Sequence, residues 1–240
     1  MSENDTMSVT LEGVLKRYRD PFGNVDYFSM MADNSIVQFA ESLAEFDLSS
    51  LDSREKGLAF WINCYNALSI YGVLRKLKAE PSFAEKGNTS WFQRVRFFAL
   101  QKFIVGGSQY TLRDIENRVR EEYKDPRIHF ALNCSSMGCP ALKDGRYSAE
   151  NINEELDAAT KLYLSSPQGL SINTDGGELY LSMIFKWYKK DFEATGKSVK
   201  EYVLPYVSDE QREFIEKNMD TIKVKYIDYD WSLNASEGAE

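Results

Sequence analysis

The residues best suited to chemistry in this chain lie in "RIHFALNCSSMGCPAL", residues 127–142, which holds the sole histidine, His129, and two of the three cysteines, Cys134 and Cys139. A thiol beside an imidazole is the working pair of a cysteine-dependent hydrolase or acyltransferase: the ring takes the thiol proton and the thiolate attacks a carbonyl carbon. In that reading Cys134 or Cys139 is the nucleophile, His129 the base, and Glu116 or Asp230 the carboxylate that orients the imidazole. Two thiols five residues apart can instead close a disulfide or work as a redox pair. With His129 they make three metal ligands, lacking an obvious fourth and the spacing of a zinc knuckle, so no metal is expected. The plainest reading is packing: two buried cysteines in a tight turn bounded by Pro140.

Chain geometry limits these choices. Five residues of continuous strand span about 16 Å and put their ends on opposite faces, whereas proton transfer needs contact near 3 Å. "RIHFALN" is expected to be a core strand, so the chain must bend after it, with Asn133 the candidate position, to bring both cysteines into a compact loop beside a polar pocket. His129 then bonds a residue distant in sequence, with Glu116, Asp230 and Cys64 the candidates. Cys64 lies some ten residues into its predicted helix, too far from the N-terminus for the helix dipole to activate it, and reads as a small buried hydrophobe. Asn63 and Asn66, three apart in "FWINCYNAL", share a helix face. Buried amides need partners, so both are expected to bond groups outside their helix, and either could bind substrate or donate to an oxyanion.

The elements that must position these groups follow from periodicity and punctuation. Amphipathic helices are predicted over 9–20 and 34–46, and a long helix, apolar nearly all round, over 53–78 behind a Ser cap. "KFIVGGSQYTL" reads as a hairpin turning at Gly106-Gly107. Thr111 and Asp114 form a capping box that opens a helix to about Tyr123, ended by Asp125-Pro126. A helix capped by Ser148 follows, then a second hairpin turning at residues 175–177. A short helix over "MIFKWYKKDF", helices near 198–206 and 208–218, and the closing strand "TIKVKYIDYD" complete the chain. The pattern is α+β: a helix-rich single domain over 9–234 around a small, mostly antiparallel sheet, with residues 1–8 and 235–240 flexible.

Composition narrows function by exclusion. Net charge is −8, which disfavours general binding to nucleic acid or anionic membranes. No apolar run approaches the length of a membrane span, and the N-terminus lacks a signal peptide's apolar core. Three cysteines are too few for a disulfide framework, which points to a reducing, cytoplasmic compartment. No phosphate-binding loop, nucleophile elbow, zinc-protease motif or dinucleotide fingerprint occurs, and no cofactor is implied.

Taken together, "AFWINCYNAL", "VGGSQYTLRDIEN", "DPRIHFALNCSSMGCPAL", "FKWYKKDF" and "YDWSLN" resemble the domain of unknown function 547 family over about residues 55–234. The resemblance places the family's signature polar residues at Asn63, Tyr65, Asn66, Glu116, His129, Asn133, Cys134, Cys139, Asp230 and Trp231. Among these, Tyr65, Asn133 and Trp231 join the two asparagines as candidates for substrate binding. Two positions depart from the family pattern: Cys64 stands where an aliphatic residue is usual, and Asn117 where histidine is frequent. Because the family implies no activity, the leading expectation is a binding or scaffold module for an unknown small molecule or protein. A thiol-dependent hydrolase or acyltransferase is the alternative, and a redox or metal-binding dithiol the third.

Overall fold

The computed structural model describes residues 3–236, with side chains from Leu11 onward. Its centre is the helix Arg54–Ala79, which buries residues on all sides, among them Trp61, Ile62, Tyr65, Leu68 and Val73. Ser53 caps it by accepting from the Lys56 N–H at 3.2 Å, and Lys76 and Lys78 sit in its last turn, where the dipole favours cations. Around it pack the helices Glu3–Tyr18, Ser35–Ser42 and Leu112–Tyr123, the last opened by the expected Thr111–Asp114 capping box. Leu112, Ile115, Val119 and Tyr123 recur every three or four residues, so they face the core while the charged face of that helix stays wet.

Both predicted hairpins form. β1 (Phe103–Val105) and β2 (Ser108–Tyr110) pair antiparallel across Gly106 and Gly107, whose φ values of 54° and 75° suit glycine. β3 (Leu170–Asn173) and β4 (Glu178–Ser182) pair antiparallel, and β5 (Lys223–Ile227) joins β4 in parallel. The chain is thus helix-rich α+β with two small sheets instead of one, and one of its three strand pairings is parallel. A second apolar cluster, including Phe130, Leu179, Phe185, Phe192 and Ile215, lies under the three-stranded sheet and the short helices around it.

Two local expectations are corrected. "RIHFALN" is no strand: Pro126–Phe130 is a 3-10 helix, with Asp125 capping Arg127 N–H at 3.0 Å. Proline at the first helical position and an acidic cap before it are helix-start signals, and here they outweigh the β-prone Ile-His-Phe run. The helix expected from Ser148 begins at Ile152, with Asn151 at its cap and the Ser148 N–H donating to Glu155 at 2.8 Å. Of the tail expected to be flexible, Ala235 bridges Val25, and the Ser236 N–H donates to the Val25 carbonyl at 3.0 Å. Residues 237–240 lie outside the described residues, as do residues 1–2 of the other expected flexible end.

Candidate functional site

The 3-10 helix decides where the chemistry sits. Within it, Ile128 packs into the first apolar cluster and Phe130 into the second, leaving His129 between them at 5% exposure. The chain then turns through Asn133 into the cysteine loop. Asn66 reaches from the central helix to hold that turn at both ends, donating to Ala131 O at 2.9 Å and accepting from Asn133 N–H at 2.8 Å. The Asn133 side chain in turn accepts from Ser135 N–H and donates to Pro140 O, each at 2.8 Å. Asn63 clamps Tyr147 in the same two-bond manner, at 2.8 and 2.9 Å. Both amides of "FWINCYNAL" thus work as backbone clamps outside their own helix.

Cys134 and Cys139 are joined as a disulfide, with Cα atoms 6.2 Å apart. The loop between them lies against the segment after β5: Met137 N–H donates to Ser232 O at 2.9 Å and Gly138 N–H to Asp230 O at 2.8 Å. A Cβ on Gly138 would come within 2.9 Å of the Asp230 backbone nitrogen, so this approach requires glycine. Tyr229, carried in by the same segment, sets its hydroxyl 3.0 Å from Cys139 Sγ and 3.2 Å from Cys134 Sγ. Burial pushes that phenol well above its ordinary pKa, so it stays protonated and can donate to sulfur.

These groups line a cleft of about 380 Å³, within the usual range for a small-ligand site. One wall is aromatic: Trp187, Tyr229 and Trp231 pack with ring centroids 4.6–5.5 Å apart. Arg94, Arg113 and Arg120 also line it, with Glu116 as the lining carboxylate. Arg94 stacks over Trp231 at 4.7 Å and Arg120 over Tyr188 at 4.8 Å.

His129 lies at the base of the cleft. Its Nε2 is 2.8 Å from Asp191 Oδ2, and its ring stacks on Tyr188 with centroids 3.9 Å apart. Arg120 binds the same carboxylate through two nitrogens, at 2.8 and 3.2 Å. Burial lowers the imidazole pKa more than Asp191 and Glu116 raise it, so the ring is neutral near pH 7. Burial alone would raise Asp191, but the hydrogen bonds from His129 and Arg120 outweigh it and hold the carboxyl well below its ordinary range. A neutral ring donating from Nε2 leaves Nδ1 as its basic nitrogen.

The partner expected for His129 is therefore corrected. Glu116 lines the cleft but accepts from the Tyr188 hydroxyl. Asp230 accepts from Ser232 within its own turn, and Cys64 is fully buried with its thiol pKa pushed far up. Asp191 was missed, as were Tyr188, Trp187 and the three arginines. The sequence held little signal for Asp191, which stands between Lys190 and Phe192 with Glu193 beyond, in what reads as a solvated charged run. Tyr65, Trp231, Cys134 and Cys139 line the cleft, whereas Asn63, Asn66 and Asn133 build its frame. Among the described residues no group of three or more His, Cys, Asp and Glu side chains is placed to hold a metal ion.

No helix among the described residues is long and apolar enough to cross a membrane. No curated protein and no solved structure matches the chain. Residues 48–164 match the family model described as "Protein of unknown function, DUF547", a span that includes the asparagine clamps, Glu116, His129 and both cleft cysteines. By that match the resemblance to the DUF547 family seen in the sequence holds over residues 48–164.

Proposed function

We propose that the chain is a binding module whose site is the aromatic cleft, and that its ligand is a small anion with a flat or apolar body. The observation carrying this reading is the charge inversion at the cleft: Arg94 and Arg113, besides the Asp191-paired Arg120, against one lining carboxylate, beside stacked Trp and Tyr rings, in a chain of net charge −8. Arginine over an aromatic face offers a cation and a stacking surface together. Anilinonaphthalene sulfonate, an anion with a flat naphthalene body, is a suitable probe, because Trp187 and Trp231 report its binding by quenching. Saturable binding is expected, weakened ~tenfold by Arg113→Ala or Trp187→Ala. A signal that does not saturate, or that both variants retain, overturns the reading.

A second reading, thiol-dependent acyl transfer or hydrolysis, is favoured by one observation: an imidazole held by Asp191 lines the same cleft as Cys134. It requires the Cys134–Cys139 bond to open first, since the nucleophile is a thiolate. The low cysteine content supports a reducing, cytoplasmic setting.

A further inference from the structure

We propose that Cys134 and Cys139 form a thiol–disulfide exchange centre, with Cys134 the sulfur attacked and Cys139 the leaving thiolate, whose substrates are small thiols carrying carboxylates. The exchange chemistry stands on the sulfur geometry alone; the preference for anionic thiols rests on the cleft reading above.

The first support is that the loop does not depend on its cross-link for shape. Besides the two backbone bonds to the segment after β5, Cys139 N–H donates to Ser136 O at 3.0 Å and the Tyr163 hydroxyl donates to Gly138 O at 2.8 Å. Asn133 fixes the loop entrance and exit through Ser135 and Pro140. A pair held this way can open and close within a standing frame. Structural disulfides in small secreted folds are different, because there the bond supplies the frame.

The second support is the asymmetry of the two sulfurs. Both sulfurs line the cleft, Cys134 half-buried and Cys139 buried, so an incoming thiolate meets the more exposed Cys134 first. Cys139 Sγ lies 2.9 Å from the Cys134 N–H and 3.0 Å from the Tyr229 hydroxyl. Negative charge arriving on Cys139 therefore lands between donors already in place, as an oxyanion does in an acyl-transfer site. A stabilised thiolate has a lower pKa and leaves faster. Arg94 and Arg113 at the cleft supply the attraction for a carboxylate-bearing thiol.

The step balances without another oxidant. A thiolate attacks Cys134 Sγ, the Cys134–Cys139 bond breaks, and its electron pair goes to Cys139. A second thiolate then attacks the substrate sulfur of the mixed disulfide and releases Cys134. Two substrate thiols become one disulfide, losing two electrons; the cysteine pair gains two electrons and takes up the two protons as thiols. Run in reverse with a small disulfide, the same steps restore the pair.

The test is reaction of the full chain with glutathione at pH 7, followed by alkylation and mass spectrometry of each cysteine. Cys64, buried away from the cleft, is the internal control. The pair is expected to be reduced at least ~tenfold faster than glutathione disulfide is by the same thiol, with the circular dichroism unchanged. Tyr229→Phe should slow this ~tenfold through the lost donor. With glutathione disulfide, Cys139→Ser should hold an adduct on Cys134, and Cys134→Ser should react at least ~tenfold more slowly. Reduction only in denaturant, or equal adduct formation by the two serine variants, overturns the exchange centre. If a serine variant does not fold, the wild-type and Tyr229→Phe rates still decide it. Equal rates with glutathione and uncharged 2-mercaptoethanol, after correction for thiol pKa, overturn the anionic substrate class and leave the sulfur chemistry intact.

Discussion

At the scale of single residues, His129 shows how burial and pairing combine to set a protonation state. Its folded pKa lies below the unfolded value of about 6.5, because burial outweighs its carboxylate neighbours. Below that value the unfolded chain binds a proton that the native state refuses, so stability falls as pH drops. The contribution is complete above about pH 6.5 and is lost as pH falls toward the lowered native pKa. Melting temperatures at pH 7.5, 6.5 and 5.5 should therefore decline in the wild type, and His129→Gln should flatten that decline. An unchanged slope in the variant would show that other groups set it. Asn66 is the other decisive residue. Replacing it by Ala leaves Ala131 O and Asn133 N–H unpaired in the core, at about 1–3 kcal/mol each. Urea unfolding of Asn66→Ala should show a loss of about 2 kcal/mol or more, exceeding that of Asn63→Ala, whose side chain is half-buried.

At the scale of elements, the ends of helices and the tips of loops do most of the positioning. The helix Leu112–Tyr123, which carries Glu116 and Arg120, ends at Lys124 in the left-handed region, with φ 51°. Glycine accepts that conformation at lower cost, and Lys124 is exposed. Lys124→Gly should thus stabilise the fold by about 0.5–1 kcal/mol in a denaturant titration. A loss would mean that the lysine side chain contributes more than its backbone strain costs. Gly138 presents the opposite case. Its hydrogen falls where any Cβ would press on the Asp230 backbone, so Gly138→Ala should push the cysteine loop off the segment carrying Tyr229. Lower thermal stability together with weaker probe binding in the cleft would register that shift.

At the scale of the whole molecule, the last described residues bind the two apolar clusters together. Tyr226 pairs in β5, Tyr229 and Trp231 form the cleft wall, Leu233 packs in the first cluster, and Asn234 accepts from the Tyr27 hydroxyl at 2.7 Å. Truncation before Tyr226 removes all of these, and the product should be unfolded or aggregated by size exclusion and circular dichroism. A soluble, folded product would refute the expectation that residues 9–234 form one folding unit. Much of this architecture was legible in the sequence, because the signals were local. Ser53, the Thr111–Asp114 pair, Gly106-Gly107 and the heptad-like spacing from Leu112 to Tyr123 act through neighbours in the chain. The burial of Asn66 and Cys64 was equally legible, since an apolar run leaves no other environment for them, whereas Asn63 is only half-buried. What only the tertiary structure decided was partnership. Glu116, Asp191 and Asp230 are chemically equivalent candidates for His129, and the choice among them depends on how the "WYKKDF" helices pack against residues 126–130. The pairing of Cys134 with Cys139, and of both with Tyr229, likewise depends on a close backbone approach between segments some ninety residues apart. Composition and spacing carry no record of such distances; they arise only when the two apolar clusters pack and fix which polar groups must share the space between them.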